Sequence, residues 1–261
     1  MNILIGLLLA LGCAVTTNVA SVLKHRGANR APARPAAVGA RLAVSWLCLL
    51  AGGYVIGTIF TNAGWGWDQQ VVDALHGPAS GGLDGPMRAI TALGGPLVLD
   101  AVFAVSLAAL LFTGRRREAV FLALASPGTV LLVQATKALV HRTRPTGAHL
   151  ALADGSSWPS GHASGSAALY GALLLIALRH SGQAGRTRVL VAAAGVAVLL
   201  IGLSRVYLGV HYVSDVAAAW AITATWLAFL YHWQLAPRPE PLLTRPASPA
   251  PLPFATAGER R

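Results

Sequence analysis

Seven apolar runs of membrane-span length dominate the chain, at roughly residues 1–23, 42–61, 96–113, 119–137, 163–178, 188–207 and 213–233. A bilayer crossing needs about 20 mostly apolar residues. Hydrocarbon offers no water to satisfy backbone N–H and C=O groups, so runs of this kind must be helices. The predicted fold class is therefore all-α, a polytopic membrane helix bundle. Composition agrees. Hydrophobic residues make up 55% of the chain and charged ones 11%, far below the roughly 25% usual in soluble domains. Several runs are short or rich in Gly and Ala, such as AALYGALLLIAL, and small residues let helices approach closely.

The net charge of +11 would suit nucleic acid only as a basic face on a soluble domain. Here the basic residues stand between apolar runs, as topology signals do. Four segments hold most of them: Lys24, Arg26, Arg30, Arg34 and Arg41; Arg115 to Arg117; Arg179, Arg186 and Arg188; and Arg238, Arg245, Arg260 and Arg261. In a seven-helix arrangement all four lie on one side, which the positive-inside rule makes cytoplasmic. The expectation is a multi-pass protein of the plasma (inner) membrane, with its N-terminus outside and its C-terminus inside. Only Arg88, Lys137, Arg142, Arg144 and Arg205 remain on the outer side. Cations on the side that disfavours them need a local reason.

The first run has its positive charge after the apolar stretch, which argues against a cleaved signal peptide. Residues 1–41 are read as an extra N-terminal transmembrane helix with a basic cytoplasmic loop. Residues 42–233 form a six-helix core, and 234–261 a Pro-rich disordered cytoplasmic tail. The segment 62–95, with Trp65 and Trp67 near its start, is expected to lie along the outer leaflet as short helices. Cys13 and Cys48 both fall in apolar segments and indicate no disulfide framework. No Cys and His cluster has zinc spacing.

Three polar clusters interrupt the apolar pattern, all on the outer side: KALVHRTRP (137–145), SWPSGHASG (157–165) and SRVYLGVHYVSD (204–215). Lys137 and Arg144 are seven apart, about two helical turns, so they converge at one helix end, and Pro145 discourages continuation. Arg205 adds a third cation from another helix. Three converging cations suit an anion with several oxygens, phosphate above all. Ser160 can cap the next helix, Gly161 lets backbone approach a ligand, and N–H groups at a helix start bind anions. His211 and Asp215, four apart, share a helix face. A carboxylate holding one imidazole nitrogen leaves the other aimed outward as a nucleophile. His162 is placed to protonate a leaving oxygen and later activate water.

Singly, nearly every one of these residues has an ordinary reading as a headgroup anchor, a turn or a cap; only the His211–Asp215 pair exceeds it. Their concurrence on one membrane face argues for a site. The sequence resembles the type 2 phosphatidic acid phosphatase superfamily, which holds membrane lipid phosphate phosphatases and soluble vanadium haloperoxidases. The matching residues are Lys137 to Arg144-Pro145, then Pro159-Ser160-Gly161-His162, then Ser204-Arg205 to His211 and Asp215. LDGPM at 83–87 and the following TALGG match a segment of bacterial members. The resemblance covers roughly 42–233. It implies His211 as nucleophile with Asp215 as partner, and His162 as general acid. It also implies Lys137, Arg144, Ser160, Gly161 and Arg205 as phosphate ligands, a phosphohistidine intermediate, and no metal or other cofactor. Arg142 and His141 stand outside the pattern, and Arg142 is expected to play no direct part.

The expected activity is hydrolysis of a lipid phosphate or diphosphate at the outer face, with undecaprenyl diphosphate as first choice. Phosphatidic acid, phosphatidylglycerol phosphate and phosphotransfer through the same site are the alternatives. A non-catalytic lipid transporter is a distant third, because the polar groups gather at one face and not near the midplane. The expected partners are the lipid phosphate and the bilayer, with no nucleic acid.

Overall fold

The structure, a computed structural model, describes residues 35–62, 66–76, 82–147, 149–180 and 183–235. The expected first helix at 1–23, the loop up to residue 34 and the tail beyond residue 235 lie outside the described residues. The elements in chain order are α1 (Pro35–Asn62), α2 (Gly66–His76), α3 (Asp84–Ala92), α4 (Pro96–Phe112) and α5 (Arg116–Val140). They continue with α6 (Gly161–His180), α7 (Ala184–Tyr207) and α8 (Val213–Leu230), which runs on into a π turn at Tyr231–Leu235.

Among the described residues, six helical stretches are long and apolar enough to cross a membrane: Gly39–Asn62, Asp84–Phe112, Arg116–Val140, Gly161–His180, Ala184–Tyr207 and Val213–Gln234. The second differs from the sequence expectation. Residues 84–92 were expected in the outer segment, but α3 and α4 together make one 29-residue stretch. The Gly94-Gly95-Pro96 break between them causes the difference. Leu93, Gly94 and Gly95 donate three residues back, to Ile90, Thr91 and Ala92, so the chain turns tightly there and resumes as helix. In the sequence that break has the look of a helix start.

The helix α6 is the centre of the bundle and packs against α5, α7 and α8. Phe121, Leu122, Leu169, Ala172, Trp226, Leu227 and Leu230 form a buried apolar cluster, which the middle of α6 and the later half of α8 share with the start of α5. Pro127 sits inside α5 and removes one helical N–H. Two indoles bond to carbonyls flanking it, Trp226 Nε1 to Leu124 at 3.2 Å and Trp46 Nε1 to Gly128 at 3.2 Å. Gly202 of α7 is required by contact: a Cβ there would stand 2.2 Å from the Trp220 ring of α8. All the spans alternate in direction, so the end of α5, the start of α6, the end of α7 and the start of α8 meet at one end of the bundle.

Candidate active site

The sequence pattern fixes where α5 stops. Pro145 disfavours helix at the residue before it, and His141 ends the helix in the left-handed region with φ of 51°. From there the chain runs extended and folds back on residues 156–157. Ser157 N donates to Arg142 O at 2.8 Å, and Ser157 Oγ donates to Thr143 O at 3.0 Å. Lys137 and Arg144 therefore converge through this fold-back and not by stacking on consecutive helical turns. Lys137 Nζ donates to Ser156 O at 2.5 Å, and Arg144 Nη2 reaches the same carbonyl at 3.5 Å.

Arg144 is further anchored by Nη1 to Val210 O at 2.7 Å and by Nη2 to Asp154 O at 2.6 Å. Its Nη1 stands 3.4 Å from His211 Nε2. On the other side of the ring, His211 Nδ1 lies 3.3 Å from Asp215 Oδ2. A guanidinium only donates, and a carboxylate only accepts. Both contacts therefore favour one tautomer, with the proton on Nδ1 and the Nε2 lone pair directed towards Arg144. His211 precedes the first turn of α8, whereas Asp215 lies within it and accepts from Tyr212 N at 3.0 Å, closing the helix start. Burial pushes the His211 imidazole down from its ordinary 6.5 to about 4, against the opposing pull of Asp215.

Ser160 occupies the cap position of α6, where its carbonyl accepts from Ser164 N at 3.0 Å. Its N–H donates to Asp215 O at 3.2 Å, which ties α6 to α8. Its hydroxyl does not cap the helix: Ser160 Oγ is buried with no hydrogen-bond partner. Beside it, a Cβ on Gly161 would meet no heavy atom within 4 Å. Arg205, 3% exposed, donates from Nη1 to Thr91 Oγ1 of α3 at 2.9 Å, and its Nε is likewise without a partner. Arg144 Nε is a third such atom. His162 packs against the α3–α4 turn, where a Cβ on Gly95 would lie 3.8 Å from His162 Nε2. Its ring lies within Coulombic range of Arg205, His211, Arg144 and Lys137. All eight residues predicted from the sequence thus come together at one end of the bundle.

Two residues were not anticipated. Arg142, expected to play no direct part, is buried at 6% exposure and donates to Asp215 Oδ1 at 2.6 Å and to Asp68 Oδ2 at 2.9 Å. Asp68 of α2 is 0% exposed and also accepts from Ser214 N at 3.2 Å and from the Ser214 hydroxyl. The available signal in the sequence was the arithmetic of buried charge: an extra Arg beside the pattern, and an Asp entering the helix after Trp67.

This arrangement has counterparts. Phosphatidylglycerophosphatase B of Bacillus subtilis (strain 168) is 30% identical over 165 residues, covering 63% of this chain and 81% of that protein. The chain belongs to the PAP2 superfamily. The model of that superfamily matches residues 118–239, which take in α5 to α8 and all three polar clusters. Among solved structures, that of a transmembrane PAP2 type phosphatidylglycerolphosphate phosphatase from Bacillus subtilis superposes with a TM-score of 0.62 at 27% identity. The superposition covers 74% of this chain and 94% of the other. The chain is accordingly a membrane-spanning PAP2 lipid phosphatase. The α1–α4 region lies ahead of the superfamily match, yet Thr91 and the Gly94-Gly95 turn reach Arg205 and His162 from it.

Proposed function

We propose that this PAP2 enzyme removes the terminal phosphate of a lipid phosphomonoester, with phosphatidylglycerol phosphate as its substrate, through a phosphohistidine on His211. The observation that carries the reading is that three of the five buried polar atoms without partners among the described residues, Arg144 Nε, Ser160 Oγ and Arg205 Nε, belong to the candidate site. The other two are Trp220 Nε1 and Thr223 Oγ1 on α8. The three site atoms come from separate segments tied to His211 and its partner: Arg144 Nη1 stands 3.4 Å from His211 Nε2, His211 N donates to Arg205 O at 3.3 Å, and Ser160 N donates to Asp215 O at 3.2 Å. Buried polar atoms are normally bonded, and the oxygens of a phosphoryl group would satisfy all three. Lys137 and the Gly161 N–H add charge and a donor.

In this reading His211 Nε2 attacks phosphorus, forming the P–N bond as the lipid P–O bond breaks. His162 gives its proton to the leaving lipid oxygen. The Nδ1 proton stays on the ring, and Asp215 stabilises the charge that develops there. His162 then takes a proton from water, which attacks phosphorus, breaks the P–N bond and releases inorganic phosphate. The three cations hold the phosphoryl oxygens throughout, where stabilisation of developing charge is worth most. No step calls on a metal.

The Bacillus relatives shift the preferred substrate from undecaprenyl diphosphate to phosphatidylglycerol phosphate. The far end of the bundle bears Arg115, Arg116, Arg117, Arg186 and Arg188, which supports an extracytoplasmic site in the inner membrane by the positive-inside rule. The test is phosphate release in detergent micelles containing EDTA, with phosphatidylglycerol phosphate, phosphatidic acid and undecaprenyl diphosphate compared. Release that is fastest from phosphatidylglycerol phosphate, and lost in His211→Ala, supports the reading. Faster release from undecaprenyl diphosphate overturns the substrate, and phosphate appearing only on an added acceptor alcohol overturns hydrolysis. The acid limb of kcat/KM reports the free enzyme. With His211 lowered to about 4, it stays unprotonated as pH falls through 6. The enzyme's limb is expected well below pH 6, and a limb near 6.5 that is not the substrate's own second phosphate ionisation, which also falls at about 6, would count against His211 as the attacking base.

A further inference from the structure

We propose that Arg142, clamped by Asp68, is a positioning residue that sets the orientation of Asp215 and through it of the His211 imidazole. The inference rests on the reading of His211 as nucleophile. It starts from the two oxygens of one carboxylate. Asp215 Oδ2 serves His211 Nδ1 at 3.3 Å and Tyr212 N at 3.0 Å, while Oδ1 takes Arg142 Nη1 at 2.6 Å. A carboxylate bonded on one oxygen alone is free to swing about its Cβ–Cγ bond, and the His211 contact would swing with it. Arg142 removes that freedom.

Arg142 is itself fixed from several directions. Its Nη2 donates to Asp68 Oδ2 at 2.9 Å, and Nη1 also meets Ser214 Oγ at 2.7 Å. Its backbone N–H donates to Ser156 Oγ at 3.0 Å. The guanidinium lies over the Tyr212 ring at 4.2 Å, with the Phe60 and Trp158 rings each at 5.8 Å. The helix α2 that supplies Asp68 is tied down by Gln69, which donates to Thr146 O at 3.2 Å and accepts from Thr146 N at 3.1 Å. The chain His211–Asp215–Arg142–Asp68 therefore runs from the nucleophile to an element outside the superfamily match.

Charge gives the arrangement a second use. Two carboxylates around one guanidinium leave one net negative charge facing His211, which balances the positive charge the ring acquires on phosphorylation. A planar fork suits two carboxylates at once, and an ammonium does not reproduce it. Buried ion pairs contribute little net stability, so stability alone is a weak reason for three buried charges here.

The experiment compares Asp68→Asn and Arg142→Lys with wild type and His211→Ala in micelles. It records kcat and KM, the rapid-quench rate of phosphoenzyme formation, and the ¹⁵N spectrum of histidine-labelled protein. The expected result is a kcat lower by roughly 10–100-fold, the range for a displaced orienting group. KM should stay within about twofold, since Lys137, Arg144 and Arg205 are untouched. Phosphoenzyme formation should slow by the same factor, and the His211 signal should lose Nδ1–H character. If Arg142→Lys fails to fold, the near-isosteric Asp68→Asn decides. Folded variants with wild-type kcat and only a lower melting temperature would overturn the proposal, as would a raised KM at constant kcat. Full activity in His211→Ala would instead sink the reading on which it rests, a separate outcome.

Discussion

The two ends of the α5–α8 bundle are buried alike and built from opposite chemistry. Towards one end Phe121, Leu122, Leu169 and Leu230 are each fully enclosed in an apolar cluster, and the charges of that end, Glu118 with Arg179 and His180 among them, stay outside it. At the other, Asp68, Arg142, Ser160, Arg205, His211 and Asp215 are enclosed to a similar degree. In lipid the hydrophobic effect does not drive helices together, so packing contacts and polar bonds hold a bundle. The apolar end provides the packing. The polar end carries desolvated charges whose pairing barely repays their burial, and it leaves three buried polar atoms unpaired. One pair of ends thus separates what holds the protein together from what it holds together for.

Substitutions break that comparison if they affect the wrong quantity. The largest expected effect is at the polar end: His211→Ala should lower kcat by roughly 10⁴–10⁶-fold, the scale for removing a nucleophile. The melting temperature should fall only slightly, because Asp215 keeps Tyr212 N and Arg142, and Arg144 keeps its backbone carbonyls, when the imidazole is gone. A His211→Ala protein within tenfold of wild type would remove the polar end's rationale. Next, Arg205→Ala should cost about 10²–10³-fold in kcat, the usual loss for one donor to a developing charge. Thermal melts run beside the assay would show whether the loss is chemical.

The division between the ends also decided how much the sequence revealed. The spans were legible because hydrocarbon leaves only one backbone solution. The eight candidate site residues were legible because the charged ones and the two histidines are costly to place in a membrane, and Ser160 and Gly161 open a helix beside them. Geometry within the site was less so. His141 turns left-handed and reverses the chain, so Lys137 and Arg144 meet over Ser156 O and not along a helix. Arg142 and Asp68 are 74 residues apart, and nothing local marks them as partners. The Gly94-Gly95-Pro96 break hid only the continuity of α3, one of the short helices expected in 62–95, with α4, because a turn within a span and a loop before one share the same residues.

At the apolar end, Phe121→Ala should destabilise the fold by about 3 kcal/mol or more, the usual cost of emptying an aromatic site. The kcat of the protein that remains folded should be unchanged. A fall in kcat without a fall in melting temperature would mean that the two ends are not separable.

Gly202→Ala tests the seam between them and should have the smallest effect. A Cβ at 202 would sit 2.2 Å from the Trp220 ring and 2.8 Å from Val216 Cγ1, so α8 must move off α7 or Trp220 must turn. Overpacking of this kind costs about 1–3 kcal/mol. Arg205 is one turn along α7 from Gly202, and Asp215 directly precedes Val216 on α8. A shift here therefore changes the spacing between Arg205, the proposed phosphate ligand, and Asp215, the partner of His211. Unlike Phe121→Ala, this variant should lower both the melting temperature and kcat, with kcat down by roughly tenfold for a displacement well under 1 Å. Lowered stability at full kcat would show that Trp220 yields and α8 stays in place. The polar end would then be held by its own hydrogen bonds, Ser160 N to Asp215 O and Arg142 to Asp215, more than by the packing beneath it.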